Sequence, residues 1–414
     1  MSLLAVDEAL RRVLASVERP VDLEWKPLPT CAGMTLGQDL ASQRDQPPFA
    51  ASAMDGYAVR SADVANLPTS LRVIGGSSAG HGFAGEVGPG DAVRIFTGAP
   101  VPPGADAIVI QEDTVPADGS VVVNATPDPG QFVRPAGLDF QRGEALLRAG
   151  DRLDARLLAL AAAMGHGLLP VRRRPRVAIL ATGDELVRPG EALGADQIVA
   201  SNPYAVAAIV EKAGGEAVDL GIAPDTFEAL EERVLAARAA GADLLVTLGG
   251  ASVGEHDLVQ SALVRQGMSL GFWRVALRPG KPLLHGRLGS TLLLGLPGNP
   301  VSSVVCAILF LVPAIRALLG ASDAGADPTE AALLGRDLRA NDTRQDYLRA
   351  ALSTRIVEFD GRVIEVLRAT PHVRQDSSML STLARSGALV VRAPHAPAAK
   401  VDDACRIIRL DRFC

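Results

Sequence analysis

Cysteine is scarce in this chain, and no cysteine is placed to act with another. Only Cys31, Cys306, Cys405 and Cys414 occur in 414 residues. They form no C-x-x-C pair and lie near no histidine at zinc-ligand spacing, so neither a disulfide framework nor a structural zinc site is supported. The six histidines are scattered, and none is assigned as a metal ligand. Long apolar runs are equally rare. The most apolar, residues 304–317, is interrupted by Pro313 and falls short of the ~20 residues a membrane span needs, which favours a buried helix. Residues 1–17 mix charged with apolar side chains and lack the unbroken apolar stretch of a signal peptide. No low-complexity tract, short-period repeat, Walker A pattern or G-x-G-x-x-G fingerprint is found. A net charge of -6 gives no electrostatic reason to expect nucleic acid. These absences lead to the expectation of a cytoplasmic protein with no membrane and no nucleic-acid partner.

The chain is too long for one ordinary core, and its length suggests two to four domains. At 48% hydrophobic and 21% charged it has the composition of a globular protein rather than a disordered one. Val6, Leu10, Val13, Leu14 and Val17 recur on one helical face, with Pro20 just beyond. Between about Pro47 and Gly143 glycine and proline become dense. Short β-branched runs at 71–74, 107–110 and 120–123 alternate there with turns, the texture of a small all-β domain. A second helix is expected over 153–164, packed with the first as a linker that carries the β domain.

After Arg172-Arg173-Arg174-Pro175 the pattern alternates strand and helix. Strands are expected at 177–181, 217–222, 244–248 and 291–294. Helices are expected from a capping Asn202 to Gly214, from Asp225 with Glu228 as a capping pair to Gly241, from Asp257 onward, and over 300–319. Repeated β-α units imply an α/β doubly wound domain, a mostly parallel sheet covered on both faces. From about Pro328 the β texture returns. Runs at 347–357 and 363–367 flank an Asp360-Gly361 turn, and runs at 389–392 and 405–410 complete a small barrel or sandwich.

Ligands of open α/β sheets bind beyond the carboxyl ends of the strands. Three loops stand there. One runs Thr182-Gly183-Asp184-Glu185, the second Gly249-Gly250-Ala251-Ser252-Val253-Gly254-Glu255-His256-Asp257, and the third Pro297-Gly298-Asn299-Pro300-Val301-Ser302. Their glycines let backbone N–H groups approach an anion, helix N-termini add a favourable dipole, and Thr182, Ser252 and Ser302 add hydroxyls. A phosphorylated ligand fits that pattern, although glycine also serves tight turns. Glu185, Asp225 and Asp257 make chemical sense beside phosphate if Mg²⁺ bridges them. Asp225 and Asp257 serve equally well as plain helix caps. In Phe272-Trp273-Arg274-Val275-Ala276-Leu277-Arg278, period-two alternation puts Arg274 and Arg278 on one face, roughly 13 Å apart. With Lys281 beyond a Pro-Gly bend they form either an oxyanion clamp or a charged, solvated edge.

The segments S-A-M-D-G-Y-A at Ser52, T-G-A-P at Thr97, T-G-D-E-L at Thr182, G-G-x-S-V-G-x-x-D at Gly249, P-G-K-P at Pro279 and L-P-G-N-P-V-S at Leu296, in this order, resemble the molybdopterin molybdenumtransferase family, which includes the gephyrin E-domain. The resemblance spans nearly the whole chain. It implies a helical linker domain at 1–46 and 144–172, an inserted β domain at 47–143, an α/β molybdopterin-binding domain at 173–322 and a C-terminal β barrel at 328–414. It further implies a homodimer and a reaction in which molybdate, as substrate, enters adenylylated molybdopterin with release of AMP. Mg²⁺ is the implied cofactor, and a molybdopterin adenylyltransferase is a further partner that the resemblance admits. The family's catalytic positions fall on Asp55, Thr97, Asp139, Glu185, Asp225 and Asp257. Of these, Asp55, Glu185, Asp225 and Asp257 are the implied metal ligands. Substrate contacts fall on the three loops, on Arg274, Arg278 and Lys281, and on Arg349 and Ser377.

Two departures stand out. Many relatives carry lysine where this chain has Arg274 and Arg278, and a planar fork is not equivalent to a point charge. Asp376 also adds a negative charge beside Ser377. Two other functions fit the residues less well. A stand-alone adenylyltransferase would not need the β domain that carries Asp55 and Thr97. A non-catalytic scaffold would not need Asp55, Glu185 and Lys281 intact.

Overall fold

The computed structural model describes residues 3–249, 258–359 and 362–414. Its central sheet has six strands in the spatial order Glu216–Ala223, Arg176–Thr182, Leu244–Leu248, Thr291–Leu296, Leu284–Leu288, Ser269–Trp273. The first four run parallel, the fifth runs antiparallel to them, and the sixth runs antiparallel to the fifth. Alternation along the strands explains why both faces are covered. Val177, Ile179, Leu244, Val246, Leu292 and Leu294 point into one apolar layer. Ala178, Leu180, Leu245 and Leu293 point into the other. The helices Asn202–Ala213 and Pro300–Cys306 contribute to the first layer, and Phe227–Ala239 and Leu258–Arg265 to the second. This is the doubly wound arrangement expected from the β-α alternation.

The apolar run ending near Ala317 is one continuous helical rod, Pro300–Leu318. It is long and apolar enough by composition to cross a membrane, but it is 83% buried, which makes it the core of the first layer. The rod widens to a π-turn at Ala307–Leu311, where the Val312 N–H donates to the Ala307 carbonyl. Pro313 follows directly and has no N–H to give, so the widened turn adjusts the ladder around the missing donor.

The β-rich segment forms a half-barrel sheet in the order Ala107–Ile110, Gly56–Val59, Asp91–Ile95, Thr69–Ser77, Ser120–Val123, Thr114–Ala117. The C-terminal strands close into a five-stranded barrel. Gln345–Phe359 pairs with Arg362–Pro371 on one side and Ala388–Arg392 on the other, while Glu330–Leu334 and Ala404–Arg409 complete the ring. The Asp360-Gly361 turn lies outside the described residues.

Four local expectations are corrected. The first helix, Val6–Ala15, buries Val6, Ala9 and Val13 in the α/β layer, whereas the second, Ala155–Ala163, packs among Cys31, Leu36, Leu147 and Val171. The two therefore do not form a common linker core. Asn202 is not a cap: it is the first helical residue, and its Nδ2 donates to the Gly298 carbonyl at 2.6 Å. Asp225 is not the cap of its helix either. Thr226 holds that position and accepts from the Ala229 N–H. The strand through Phe272 does not continue to Arg278. It ends at Trp273, because Arg274 has a φ of 150°, a value L side chains rarely adopt.

Candidate active site

A cleft of about 600 Å³ opens beyond the carboxyl ends of the parallel strands. Thr182, Gly183, Glu185, Asp225, Gly249, Pro297, Gly298 and Asn299 line it, and Ile198 and Val199 provide an apolar wall. Two of the three expected loops therefore meet, together with the described start of the second. Gly250, Ser252, Gly254 and Asp257 lie outside the described residues. The loops meet closely because of Gly249. Its φ is 100°, and a Cβ there would sit 2.8 Å from the Thr182 carbonyl oxygen. Only glycine lets the two strand ends touch without displacement. The Thr182 side chain is buried, and its hydroxyl has no hydrogen-bond partner among the described residues. A buried hydroxyl left this way is costly unless something outside the chain satisfies it.

Carboxylates gather on one rim. The Asp225 N–H donates to Asp184 Oδ1 at 3.1 Å. Partial burial first, then the charges of Asp184 and Glu185, hold the Asp225 carboxyl above its ordinary value. With Thr226 acting as cap, Asp225 has no structural duty at the helix start. Among the described residues, no group of three or more His, Cys, Asp or Glu side chains is arranged to hold a metal ion.

The C-terminal domain reaches the cleft through Ser378, and Arg349 is not among the residues that line it. Arg349 is 1% exposed and the largest fully buried side chain. Its Nη1 donates to the Met379 carbonyl at 3.0 Å, while Nη2 has no partner among the described residues. The Gln375 side chain clamps the Arg349 backbone from both sides at 3.0 Å. Burial pulls the guanidinium below its ordinary value, with Asp376 opposing that shift. Asp376 itself is turned into a local knot, accepting from the Ser378 N–H at 2.9 Å and Oγ at 2.7 Å. The same loop reaches the cleft. The Ser377 carbonyl accepts from the Val301 N–H at 3.1 Å, and Ser378 is on the cleft wall. Ser302 is buried in the helix that begins there.

The proposed arginine pair does not form the geometry expected of a clamp. Arg274 stacks on Trp273, its guanidinium carbon 4.6 Å from the ring centroid. Arg278 faces the barrel, bonding Asp342 at 2.9 Å, Asn341 at 3.1 Å and the buried Asp346. Neither arginine lines the cleft. Lys281 is exposed, just before the cleft residue Pro282.

Asp55 and Thr97 meet each other but not the cleft. Asp55 Oδ1 accepts from both the Thr97 N–H and the Thr97 hydroxyl at 2.7 Å. These bonds, with Arg94 nearby, hold the Asp55 carboxyl below its ordinary value. Asp139 is exposed, its backbone N–H bonded to Gln46.

Comparison with known proteins resolves the lineage. Residues 4–165 match the MoeA N-terminal region, domains I and II, and residues 178–317 match a probable molybdopterin binding domain. A molybdopterin molybdenumtransferase of Haemophilus influenzae is 37% identical over 348 residues, 84% of this chain and 85% of that protein. One from a Nostoc species is 40% identical over 339 residues, 80% of this chain and 77% of its own. The chain belongs to the molybdopterin molybdenumtransferase family. A crystal structure of a molybdopterin biosynthesis MoeA protein from Pyrococcus horikoshii OT3 superposes with a TM-score of 0.83 at 26% identity, covering 98% of this chain and 99% of that one.

Within this family member, sequence reasoning missed the residues that connect the loops. Asn202 ties the Ser201 turn to Gly298, and Gln375 fixes Arg349. The Asn-Pro signal at 202–203 was visible, but it points equally to a cap. Nothing in the local sequence around Gln375 announces a contact with a strand 26 residues earlier.

Proposed function

We propose that this chain is a molybdopterin molybdenumtransferase that inserts molybdate into adenylylated molybdopterin and releases AMP. The observation that carries the reading is the cleft itself: an unpartnered buried hydroxyl, glycine loops and a carboxylate rim at the carboxyl ends of parallel strands. Backbone N–H groups of the glycine loops bind phosphate, and the exposed Lys281 adds positive charge near the entrance. Arg349 offers a buried, unused N–H to a tetrahedral oxyanion through a charge-assisted hydrogen bond.

The donor set suits Mg²⁺. Carboxylate oxygens are hard ligands, and Mg²⁺ commonly takes one or two carboxylates together with substrate phosphates. Burial first and then repulsion from Asp184 and Glu185 raise Asp225, and a cation would offset that repulsion. Glu185 and Asp225 would hold it, with Asp257 and Asp55 as further ligands, and its charge would offset that of the pyrophosphate. Asp184 fixes the Asp225 backbone, and the apolar wall at Ile198 and Val199 limits water on one side of the cleft.

Asp55 and Thr97 complete the site from a second copy of the chain, which makes the working unit a homodimer. Its adenylylated substrate comes from a molybdopterin adenylyltransferase, and the setting is cytoplasmic. The test is single-turnover AMP release from adenylylated molybdopterin with and without molybdate. Molybdate-dependent AMP formation supports the reading. An intact chain that binds the pterin and releases no AMP with molybdate and Mg²⁺ refutes it.

A further inference from the structure

We propose that Arg94 is a positioning residue that locks three strand ends together and so sets the Asp55–Thr97 pair. The inference rests on the reading that this pair serves the reaction. Register supplies the starting point. In the half-barrel sheet, Gly56 lies opposite Ile95 and Tyr57 opposite Arg94, antiparallel. Asp55 and Thr97 therefore leave the same end of two adjacent strands. On the far side of the Gly56 strand, Gly56 lies opposite Ile110, so Gln111 leaves that end as well.

Period-two alternation places Arg94, Phe96 and the cross-strand Tyr57 on one face. The guanidinium carbon of Arg94 is 5.0 Å from the Tyr57 ring centroid and 5.0 Å from that of Phe96. Stacking against both rings limits the fork's freedom to turn. Held this way, Nη1 donates to the Gly56 carbonyl at 3.0 Å and Nη2 to Gln111 Oε1 at 2.8 Å. The Gln111 N–H in turn donates to the Asp55 carbonyl at 3.1 Å. Gly56 follows Asp55, and Phe96 precedes Thr97. One side chain therefore grips the residue after Asp55, the residue before Thr97 and the residue whose backbone holds Asp55. Lysine would keep the charge but could not supply two fixed, diverging N–H groups.

The experiment compares Arg94→Gln and Arg94→Lys with the parent chain and with Asp55→Ala. Amide hydrogen exchange is read at Thr97 and Gln111, and AMP release gives kcat and KM for the pterin. Arg94→Gln is expected to lose protection at these two amides while the rest of the half-barrel stays protected. A misplacement of ~1 Å by a residue away from the chemistry can cost about 10²-fold. The kcat of Arg94→Gln should thus fall about ten- to a hundred-fold with little change in KM, and Arg94→Lys should recover part of the loss. Unchanged protection at Thr97 and Gln111 overturns the inference. So does normal kcat in Arg94→Gln alongside an inactive Asp55→Ala. If Asp55→Ala turns over normally, the catalytic reading of the pair fails instead, and the exchange measurement still decides whether Arg94 sets its geometry.

Discussion

Removing Arg278 should weaken the joint between the α/β sheet and the barrel in a pH-dependent way. Its guanidinium bonds Asp346, a side chain only 6% exposed, and Asp342 at 2.9 Å on the surface. Asp346 Oδ1 already has no partner among the described residues. Arg278→Ala leaves that carboxylate buried and uncompensated. Stripping one partner from a fully buried pair costs about 3–5 kcal/mol. The Arg278 side chain is 42% exposed, so water reaches the vacated side, and the penalty falls to about 1–2 kcal/mol. Burial holds the Asp346 carboxyl above its ordinary value even with Arg278 pulling it down. Without Arg278 the rise is larger. A carboxyl raised on folding binds protons more readily in the folded chain than in the unfolded one. The penalty is therefore fully present above the raised folded pKa and shrinks as pH falls through it toward the ordinary carboxylate value. Thermal or denaturant unfolding of Arg278→Ala, Asp346→Asn and the double variant, at neutral and acidic pH, measures this. The double variant should recover most of the loss. A penalty that is the same at both pH values, or single effects that simply add, refutes the reasoning. A raised molybdate requirement with unchanged stability would restore Arg278 to the oxyanion site.

Other consequences follow from the same geometry. Asp225→Asn should leave the unfolding free energy within about 0.5 kcal/mol of the parent, because Thr226 caps the helix, yet abolish AMP release; normal turnover would remove Asp225 from the chemistry. Arg349→Ala should raise the molybdate concentration needed for turnover about ten- to a hundred-fold, the loss of one charge-assisted hydrogen bond, and separate titrations should find pterin binding unchanged. Gly249→Ala should cost about 1–2 kcal/mol for the left-handed backbone alone, and it should widen the contact with Thr182, seen as lower stability together with weaker pterin binding. Mixing Asp55→Ala with Glu185→Ala chains should restore part of the activity each lacks alone; heterodimers that stay inactive would mean sites built within one chain.

The sheet was legible in the sequence because its strands are buried on both faces. Apolar runs such as Leu244–Leu248, broken only by the buried Thr247, leave little choice of structure, and the strand residues alternate between two apolar layers as period two requires. Only the resemblance points to Asp55 and Thr97, since both segments read locally as turns, and their contact with each other is not legible in the sequence. The arginine clamp failed for a definite reason. Period-two reasoning assumes an unbroken strand, and the backbone turns at Arg274. Beyond that turn Arg278 meets Asp342 and Asp346, distant in sequence, whose acidity no local pattern connects to it. The Asp225 cap failed because Thr226, one residue later, fills the same role with a hydroxyl.

The first helix is an early piece of chain with a late partner. Its apolar face rests on the α/β layer, and Leu4 bridges Arg274 and Ala276 by backbone hydrogen bonds at 3.3 Å and 2.7 Å. During synthesis that face emerges well before the rod Pro300–Leu318 that shares its core, about 300 residues later. Such distant pairings slow folding and leave apolar surface open in the interval. The half-barrel and the strands around Ala155–Ala163 can close meanwhile, because their contacts lie within residues 28–171. The helix Val6–Ala15 is therefore among the last elements to find its place, and a fragment ending at residue 172 would carry Val6, Ala9 and Val13 uncovered.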